Sequence, residues 1–335
     1  MSEVFIPEGY RSPLSVYEMQ RAIEFIKHNF QVNLGSALNL RRVSAPLFVQ
    51  TGSGLNDDLN GYERPVSFDI PGGGTEGQVV HSLAKWKRLA LNRYGFRPGK
   101  GLFTDMNAIR RDEQLDNLHS IYVDQWDWEK IIRPEERTEG TLRRTVQAIV
   151  DAVCETADAL CVAFPSLPMD LTREVFFITT QELEDMYPEL GPRERENRIT
   201  REHGTVFLMQ IGYPLKGGQP HDGRAPDYDD WTLNGDILMW DRVLNRALEI
   251  SSMGIRVDPP ALLRQLEAAG CPERAHLPFH KMLLAGELPQ TMGGGIGQSR
   301  LCMLMIGTCH IGEVQSSLWD EKTRRACEEA GILLL

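Results

Sequence analysis

The sequence predicts an α+β fold in which a mostly antiparallel sheet is flanked by helices. Strand-like and helix-like segments are mixed along the chain, without the regular alternation that builds a parallel sheet. Residues 102–109 and 121–128 are two strand-like runs around a polar loop, which together predict an antiparallel hairpin. A glycine-rich stretch at 293–297 precedes an apolar helix at 299–306, and we expect this stretch to form a turn.

Most other elements follow from hydrophobic spacing and from end signals. Residues 17–30 carry apolar side chains at helical spacing, with Ser15 placed as the N-cap. Pro192 and Gly204 bracket a charged helix, with proline at its start and glycine past its end. The remaining predictions are helices at 142–160, 262–269 and 280–284, a short helix from 180, a strand-to-helix change within 78–88, and strands at 175–179, 206–212 and 236–240.

Length and composition exclude several classes of protein. The 335 residues are 41% hydrophobic and 25% charged, so the chain has enough apolar residues to bury a core. No repeat or linker divides the chain, and we expect one domain over residues 1–335. The net charge of −11 argues against a nucleic-acid partner, and an anionic substrate would need a locally basic pocket.

Localisation is predicted from features that the sequence lacks. No apolar run approaches the ~18 residues that a membrane span requires. The N-terminus has neither the basic stretch nor the apolar core of a secretory signal. The six cysteines show no CxxC spacing, which is typical of reduced thiols. We therefore expect a cytoplasmic protein without a membrane partner.

The glycine-rich stretch is the sharpest local feature. Its glycines would let the backbone approach a ligand closely, and the helix that follows presents free N–H groups. Arg300 lies on the first turn of that helix, where a guanidinium group could hold phosphate or stack on a purine. A turn that only packs a helix against a sheet is the alternative. Neither a Walker A motif nor a Rossmann fingerprint fits the spacing.

Residues 249–256 combine a carboxylate, two hydroxyls, a glycine and an arginine on one predicted strand. Period-two alternation puts Glu249 and Ser251 on one face and Ser252 and Arg256 on the other. A bulge at Gly254 could reunite the two groups. A polar strand edge without function is the alternative.

The predicted hairpin offers a possible site for an ammonium group. Gln125 and Asp127 are two residues apart, so they share one face of their strand, and Arg110 leaves the partner strand. The acidic loop at 222–230 is either a solvated turn or a site for Mg²⁺ or ammonium. The scattered histidines exclude a zinc motif, and no GxSxG supports a serine hydrolase.

Together these features resemble the class II aminoacyl-tRNA synthetases. An extended segment ending at Pro46, the hairpin opening with Arg110 and the stretch ending at Arg300 follow the order of the three signature motifs of that class. Longer strings, at 80–88, 122–129, 224–231, 233–237 and 293–301, resemble the ammonia-dependent asparagine synthetases, or aspartate–ammonia ligases. The resemblance covers nearly the whole chain. It implies a single synthetase-like catalytic domain without an anticodon-binding domain.

The resemblance also implies a reaction. In this family, ATP and L-aspartate give β-aspartyl-AMP and pyrophosphate, and ammonia then displaces AMP to give L-asparagine. It implies ATP as co-substrate, Mg²⁺, and a homodimer formed through the region of Pro46. Because Ser2 rather than cysteine follows Met1, we expect free ammonia as the nitrogen donor. A tRNA synthetase, or a catalytically silent paralogue that acts as a binding subunit, is the alternative.

Residue roles are carried over from the family to matching positions. Asp57 is our first candidate for the base that deprotonates ammonium, because a carboxylate near the acyl carbon can accept that proton; a role limited to ordering its loop is the alternative. The resemblance implies the following site residues. The catalytic residues are Arg110, Asp57, Asp229 and Arg300, and the substrate-binding residues are Ser82, Lys87, Gln125, Asp127, Ser251, Ser252 and Arg256. The nucleotide-binding residues are Arg110, Glu249, Gly295, Gly297 and Arg300, and the metal-binding residues are Asp236 and Glu249.

Two departures from the family pattern are predicted. Residues 230–234 form a shorter connection than we expect in bacterial relatives, which would trim a lid over the pocket. The aromatic residue that stacks on adenine in class II enzymes is replaced by Tyr122 or Val123.

Overall fold

The computed structural model describes residues 4–59, 61, 63–72, 74–167 and 170–335. Its strands are β1 Leu40–Arg42, β2 Phe48–Gln50, β3 Ser67–Asp69, β4 Glu76–Val79, β5 Gly101–Ile109, β6 Tyr122–Ile131, β7 Phe176–Thr179, β8 Thr205–Met209, β9 Asp229–Asp241, β10 Arg246–Arg256 and β11 Thr291–Gly297. Its α-helices are α1 Val16–Leu38, α2 Ala84–Arg93, α3 Glu139–Ala163, α4 Thr180–Met186, α5 Pro192–His203, α6 Pro259–Ala268, α7 Pro278–Leu284, α8 Gln298–Ile306 and α9 Glu321–Glu329.

Eight strands form the main sheet, in the order β1-β5-β6-β11-β10-β9-β8-β7. All pairs between β5 and β8 are antiparallel, whereas the outer pairs β1/β5 and β7/β8 are parallel. The predicted hairpin is β5/β6, with Ile109 opposite Tyr122. Strands β2, β4 and β3 form a separate small sheet. The α+β fold with a mostly antiparallel sheet is therefore confirmed.

Local signals place the helix ends well. Ser15 caps α1 in a reciprocal capping box with Glu18, and Gly204 follows the last residue of α5. Helix α1 continues to Leu38, eight residues past its predicted end, because Leu34 and Leu38 extend the stripe that packs on the core. Along the described residues, no helix is both long and apolar enough to cross a membrane.

The main core lies between the sheet and the helices α1, α3 and α8. Phe30 of α1 packs on Trp126 of β6 with ring centroids 4.7 Å apart. Leu142, Val146 and other apolar residues of α3 join the same cluster, as does most of α8. Helices therefore cover one face of the central strands, which leaves polar residues on the opposite face to line a site.

The prediction of a glycine turn at 293–297 is wrong. These residues form β11, which lies in the middle of the sheet between β6 and β10. A Cβ atom at Gly294 would lie 2.5 Å from the Met253 Cβ atom, and one at Gly293 would lie 2.6 Å from Arg256 Nη2. Only glycine fits at these positions, because side chains of the neighbouring strands occupy the space that a side chain of β11 would fill.

The strand predicted at 236–240 begins earlier than expected. Strand β9 starts at Asp229, so Asp229 and Asp230 belong to the sheet rather than to an acidic loop. Asp229 lies opposite Arg256 of β10, and this pairing extends the strand where the sequence suggested only charge.

Gly294→Ala should destabilise the protein by about 1–3 kcal/mol, because the new methyl group meets the packed Met253 and the Ser252 carbonyl. Gly140→Ala in the first turn of α3 is the matched control. Its nearest atom lies 3.5 Å away, and alanine favours a helix by about 0.5–1 kcal/mol. Urea unfolding measures both, and equal effects of the two variants would contradict the packing argument.

Candidate active site

A cavity of about 360 Å³ lies over strands β6, β10 and β11. It brings together Arg110 and Arg300, which are far apart in sequence and whose shared cavity the predicted nucleotide site requires. Tyr122 and Val123, the candidates for the adenine contact, also line it. The other predicted residues that line the cavity are Asp57, Ser82, Lys87, Gln125, Asp127, Asp229, Glu249, Ser252, Arg256, Gly295 and Gly297.

A buried ion pair forms one wall of the cavity. Lys87 of α2 pairs with Asp127 of β6, and its ammonium group also donates to the Gly294 carbonyl at 3.0 Å. Burial lowers the pKa of Lys87, against the opposing effect of Asp127. The second carboxylate oxygen of Asp127 is buried, without a hydrogen-bond partner among the described residues. The pair thus offers one positive and one negative group to a ligand.

A second cluster of charged side chains forms another wall of the cavity. Arg256 of β10 donates to Glu129 of β6, with Nη2 at 2.7 Å from Oε2, and pairs with Asp229 of β9. Burial raises the pKa of Asp229, while the guanidinium group of Arg256 counteracts that rise. Because two carboxylates already match its charge, Arg256 orients Asp229 rather than supplying free positive charge.

A bulge in β10 selects the residues that reach the cavity. Glu249 lies opposite Leu238 and Ser251 opposite Ile237, so Ile250 is the extra residue. Glu249 therefore joins Ser252 on the cavity wall. A second irregularity follows Gly254, where the sequence predicted a bulge.

Ser251 is a correction to the predicted substrate site. Its side chain is buried on the other face of β10 and does not line the cavity. The bulge reverses the alternation between Glu249 and Ser251, so only one of these two residues can face the ligand.

Four guanidinium groups line the cavity together with seven carboxylates, so positive charge is confined to particular positions. Arg110 leaves β5 with its N–H bonded to the Ile121 carbonyl at 2.8 Å, and its buried Nε atom has no partner among the described residues. Arg300, on the first turn of α8, lies 3.5 Å from the Glu249 carboxylate. Arg224, which the sequence reasoning did not select, also lines the cavity. Its only signal was its place in the resembling string 224–231.

The two predicted metal ligands interact electrostatically, but their surroundings differ. Asp236 lines an adjoining cavity of about 570 Å³, which shares Glu249 and Arg300 with the first. Asp236 is paired with Arg224, and burial raises its pKa to about 7. Its other oxygen is buried without a partner among the described residues.

These carboxylates fit Mg²⁺ that is bound jointly with phosphate. The described residues contain no group of three or more His, Cys, Asp or Glu that could hold a metal by themselves. Mg²⁺ usually takes one or two carboxylates together with substrate phosphates and water. The unpartnered oxygen of Asp236 and the neighbouring Glu249 match that donor set.

Asp57 reaches the cavity from a tight turn. One of its carboxylate oxygens accepts the Leu59 N–H at 2.9 Å, and Leu59 has a positive φ of 49°. Burial raises the pKa of Asp57, and the Lys85 ammonium group opposes that rise. The residue therefore orders its turn and also presents a carboxyl group whose proton affinity is increased.

Asp236→Asn should remove part of the pH dependence of stability. A raised pKa means that the folded chain holds this proton more tightly than the unfolded one, where aspartate titrates near ~3.9. The free energy of unfolding then falls as pH rises from ~4 to about 7. Urea unfolding across this range should show a smaller fall in the variant.

Asp222→Asn is the control for this experiment. Asp222 pairs with the same Arg224 at 3.1 Å, but its side chain is mostly exposed, and its charge raises the pKa of Asp236 less than burial does. Most of the wild-type fall should therefore persist in Asp222→Asn. An identical pH profile for wild type and Asp236→Asn would refute the raised pKa.

Known proteins resemble this chain over its whole length. The family described as aspartate-ammonia ligase matches residues 17–331. Aspartate–ammonia ligases of Clostridium perfringens and Ruminiclostridium cellulolyticum are 58% and 56% identical over 336 residues, covering 100% of both chains in each case. The predicted shortening at 230–234 is therefore wrong with respect to these relatives, because 336 aligned positions leave only one position beyond the 335 residues of this chain.

Solved structures share the fold at low identity. The asparaginyl-tRNA synthetase of Pyrococcus horikoshii, complexed with asparaginyl-adenylate, has a TM-score of 0.64 at 14% identity, over 90% of this chain and 68% of that one. The enzyme of Entamoeba histolytica, also with asparaginyl-adenylate, has a TM-score of 0.61 at 15% identity, over 90% and 66%. The predicted class II synthetase-like fold is confirmed.

Proposed function

Because the chain belongs to the aspartate–ammonia ligase family, we propose that its cavity joins L-aspartate and ammonia into L-asparagine, coupled to cleavage of ATP into AMP and pyrophosphate. The observation that carries this proposal is one cavity lined by the Lys87–Asp127 pair and by Arg110 and Arg300. An ion pair suits an amino-acid zwitterion. The guanidinium group of Arg110, whose buried Nε atom has no partner among the described residues, suits phosphate.

Aspartate would bind at the Lys87–Asp127 pair. Its α-ammonium group meets the unpartnered oxygen of Asp127 and the amide oxygen of Gln125, which lies on the same face of β6. Its carboxylates meet Lys87, Ser82 and Ser252 on the cavity wall. A ligand that carries both charges replaces the internal pair without leaving either buried charge unmatched.

Activation would begin when a side-chain oxygen of aspartate attacks the α-phosphorus of ATP. A P–O bond forms to the carboxylate, and the bond to pyrophosphate breaks. Arg110 and Arg300 stabilise the charge that develops on the phosphates, in a cavity where such interactions are strong. Asp236 and Glu249 would hold Mg²⁺, which neutralises phosphate charge when bound.

Amide formation requires ammonia, although ammonium predominates at neutral pH. Asp57 would take one proton from ammonium, after which the nitrogen attacks the acyl carbon. The bond between the acyl carbon and the AMP oxygen then breaks, AMP leaves with that electron pair, and the nitrogen loses its remaining extra proton to the AMP phosphate or to water. The raised pKa of Asp57 suits a group that must accept a proton. Asp229 lies on the opposite wall, where Arg256 keeps it oriented towards the same pocket.

The purified chain tests this proposal in two half-reactions. Aspartate-dependent exchange between ATP and pyrophosphate reports the adenylate, and ammonium-dependent release of AMP with asparagine reports the amide. Charging of tRNA instead would favour a synthetase, and the absence of exchange would favour a silent paralogue. Replacing ammonium with glutamine tests the expected nitrogen donor. A cytoplasmic location and a single catalytic domain over residues 1–335 stay predictions.

Asp57→Asn should spare adenylate formation and slow amide formation by roughly 10²–10⁴-fold, because the variant keeps its shape but cannot accept a proton. Asp58→Asn is the matched control. Asp58 is the next residue and pairs with Arg274 at 3.2 Å near the surface, so both half-reactions should be unchanged. Equal loss of the two half-reactions in Asp57→Asn would assign the residue to loop order alone.

The expected homodimer would form through the region of Pro46. Leu47 and Phe48 there are 52% and 44% exposed, and β2 is an edge strand of its small sheet. Leu47→Asp should convert the dimer to monomer in sedimentation experiments, because it places a charge in an apolar contact. Val162→Asp, at an apolar site near the end of α3 that is 83% exposed, should leave the dimer intact. A monomeric wild type would contradict the proposal.

A further inference from the structure

The chain carries an N-terminal strap, residues 4–10, that lies before the part matched by the family, which begins at residue 17. Val4, Ile6 and Tyr10 pack against the main core. The side chain of Phe5 is 57% exposed, so this residue contributes chiefly through its backbone. The strap therefore contains neither a helix nor a strand, and it is held by contacts with the rest of the chain.

Asn117 binds the strap to the loop between β5 and β6, residues 110–121. The Phe5 N–H donates to Asn117 Oδ1 at 2.8 Å, and Asn117 Nδ2 donates to the Phe5 carbonyl at 2.7 Å. The same Nδ2 donates to the Cys309 carbonyl at 2.7 Å, and the Asn117 carbonyl accepts the Ile311 N–H at 2.8 Å. One buried amide therefore joins three segments, and each of its polar atoms is used.

A second contact holds the other end of the strap. The Tyr10 hydroxyl donates to the Glu313 carboxylate at 3.0 Å, and Glu313 also accepts the Cys309 N–H at 3.0 Å. Glu313 is buried, and burial raises its pKa. The strap is therefore tied both to the β5–β6 loop and to residues 309–315.

Both tied segments line the cavity. Leu118 and His119 follow Asn117 directly and line both cavities, and Gln315 lines the first. Gln315 Nε2 donates to Ser299 Oγ at 3.1 Å, next to Arg300. By contrast, Lys87 lies on a helix and Asp127 on a central strand, and neither touches the strap through a hydrogen bond.

We propose that the strap holds the β5–β6 loop in the conformation that binds ATP, with Asn117 as the positioning residue. The inference rests on the proposed function, since that function places the phosphates beside Arg110 at the start of this loop. If the loop is loosened, it must become ordered when ATP binds. The entropic cost of that ordering weakens nucleotide binding. The aspartate site is built on regular elements and should be affected less.

Phe5→Pro tests the proposal, because it removes the N–H that donates to Asn117 Oδ1 and leaves the cavity residues intact. Losing one such hydrogen bond corresponds to roughly a two- to tenfold weaker affinity. Titration calorimetry with Mg-ATP in the absence of aspartate should show this loss. Hydrogen exchange should become faster in residues 110–121, and the KM for aspartate should rise less than the KM for ATP.

Phe5→Ala is the matched control, because it keeps the backbone N–H and removes only an exposed ring; it should bind ATP as the wild type does. Unchanged ATP binding and unchanged loop exchange in Phe5→Pro would overturn the strap proposal. An equal rise in both KM values would also overturn it. A wild type that binds no ATP would instead contradict the proposed function, so the two failures are distinguishable.

Discussion

The absence of side chains along the middle of β11 is the constraint on which the cavity depends. A Cβ atom at Gly293 would collide with Glu129, and one at Gly295 would collide with Gln125. Lys87 reaches across the strand to the Gly294 carbonyl at 3.0 Å because no side chain intervenes. The central strand therefore serves as a floor over which charged residues from α2, β6 and β10 approach one another.

That floor brings buried groups of both charges together in one cavity. The buried charges are mostly matched, as in the Lys87–Asp127 and Arg256–Glu129 pairs. What remains unmatched are single atoms, such as one oxygen of Asp127 and the Nε of Arg110. Buried polar atoms without partners are costly, so they indicate where a ligand supplies the missing hydrogen bonds. Net charge excludes certain partners, but local pairing decides which ligand fits.

Several of the buried groups titrate away from their usual ranges because of burial. The pKa of Lys87 is lowered and those of Asp57, Asp229 and Asp236 are raised. Each shift disfavours the charged form in the absence of ligand. A zwitterionic substrate and a bound cation would each restore charge to these groups, so ligand binding and protonation are coupled in this cavity.

The sequence alone determined the features that depend on neighbours along the chain. Ser15 and Gly204 set helix ends through caps that involve only a few adjacent residues. Alternation brought Gln125 and Asp127 to one face, and the strings around Arg110 and Arg300 identified the family before any contact was known.

Only the tertiary structure decided what depends on strand register and on contacts between distant segments. It made a central strand of the glycine stretch, turned Ser251 away through a bulge at Ile250, and brought Arg224 to Asp236. It also tied Phe5 to Asn117. Periodicity in a single strand does not reveal an extra residue in that strand relative to its partner, nor which remote side chain fills the space above a glycine.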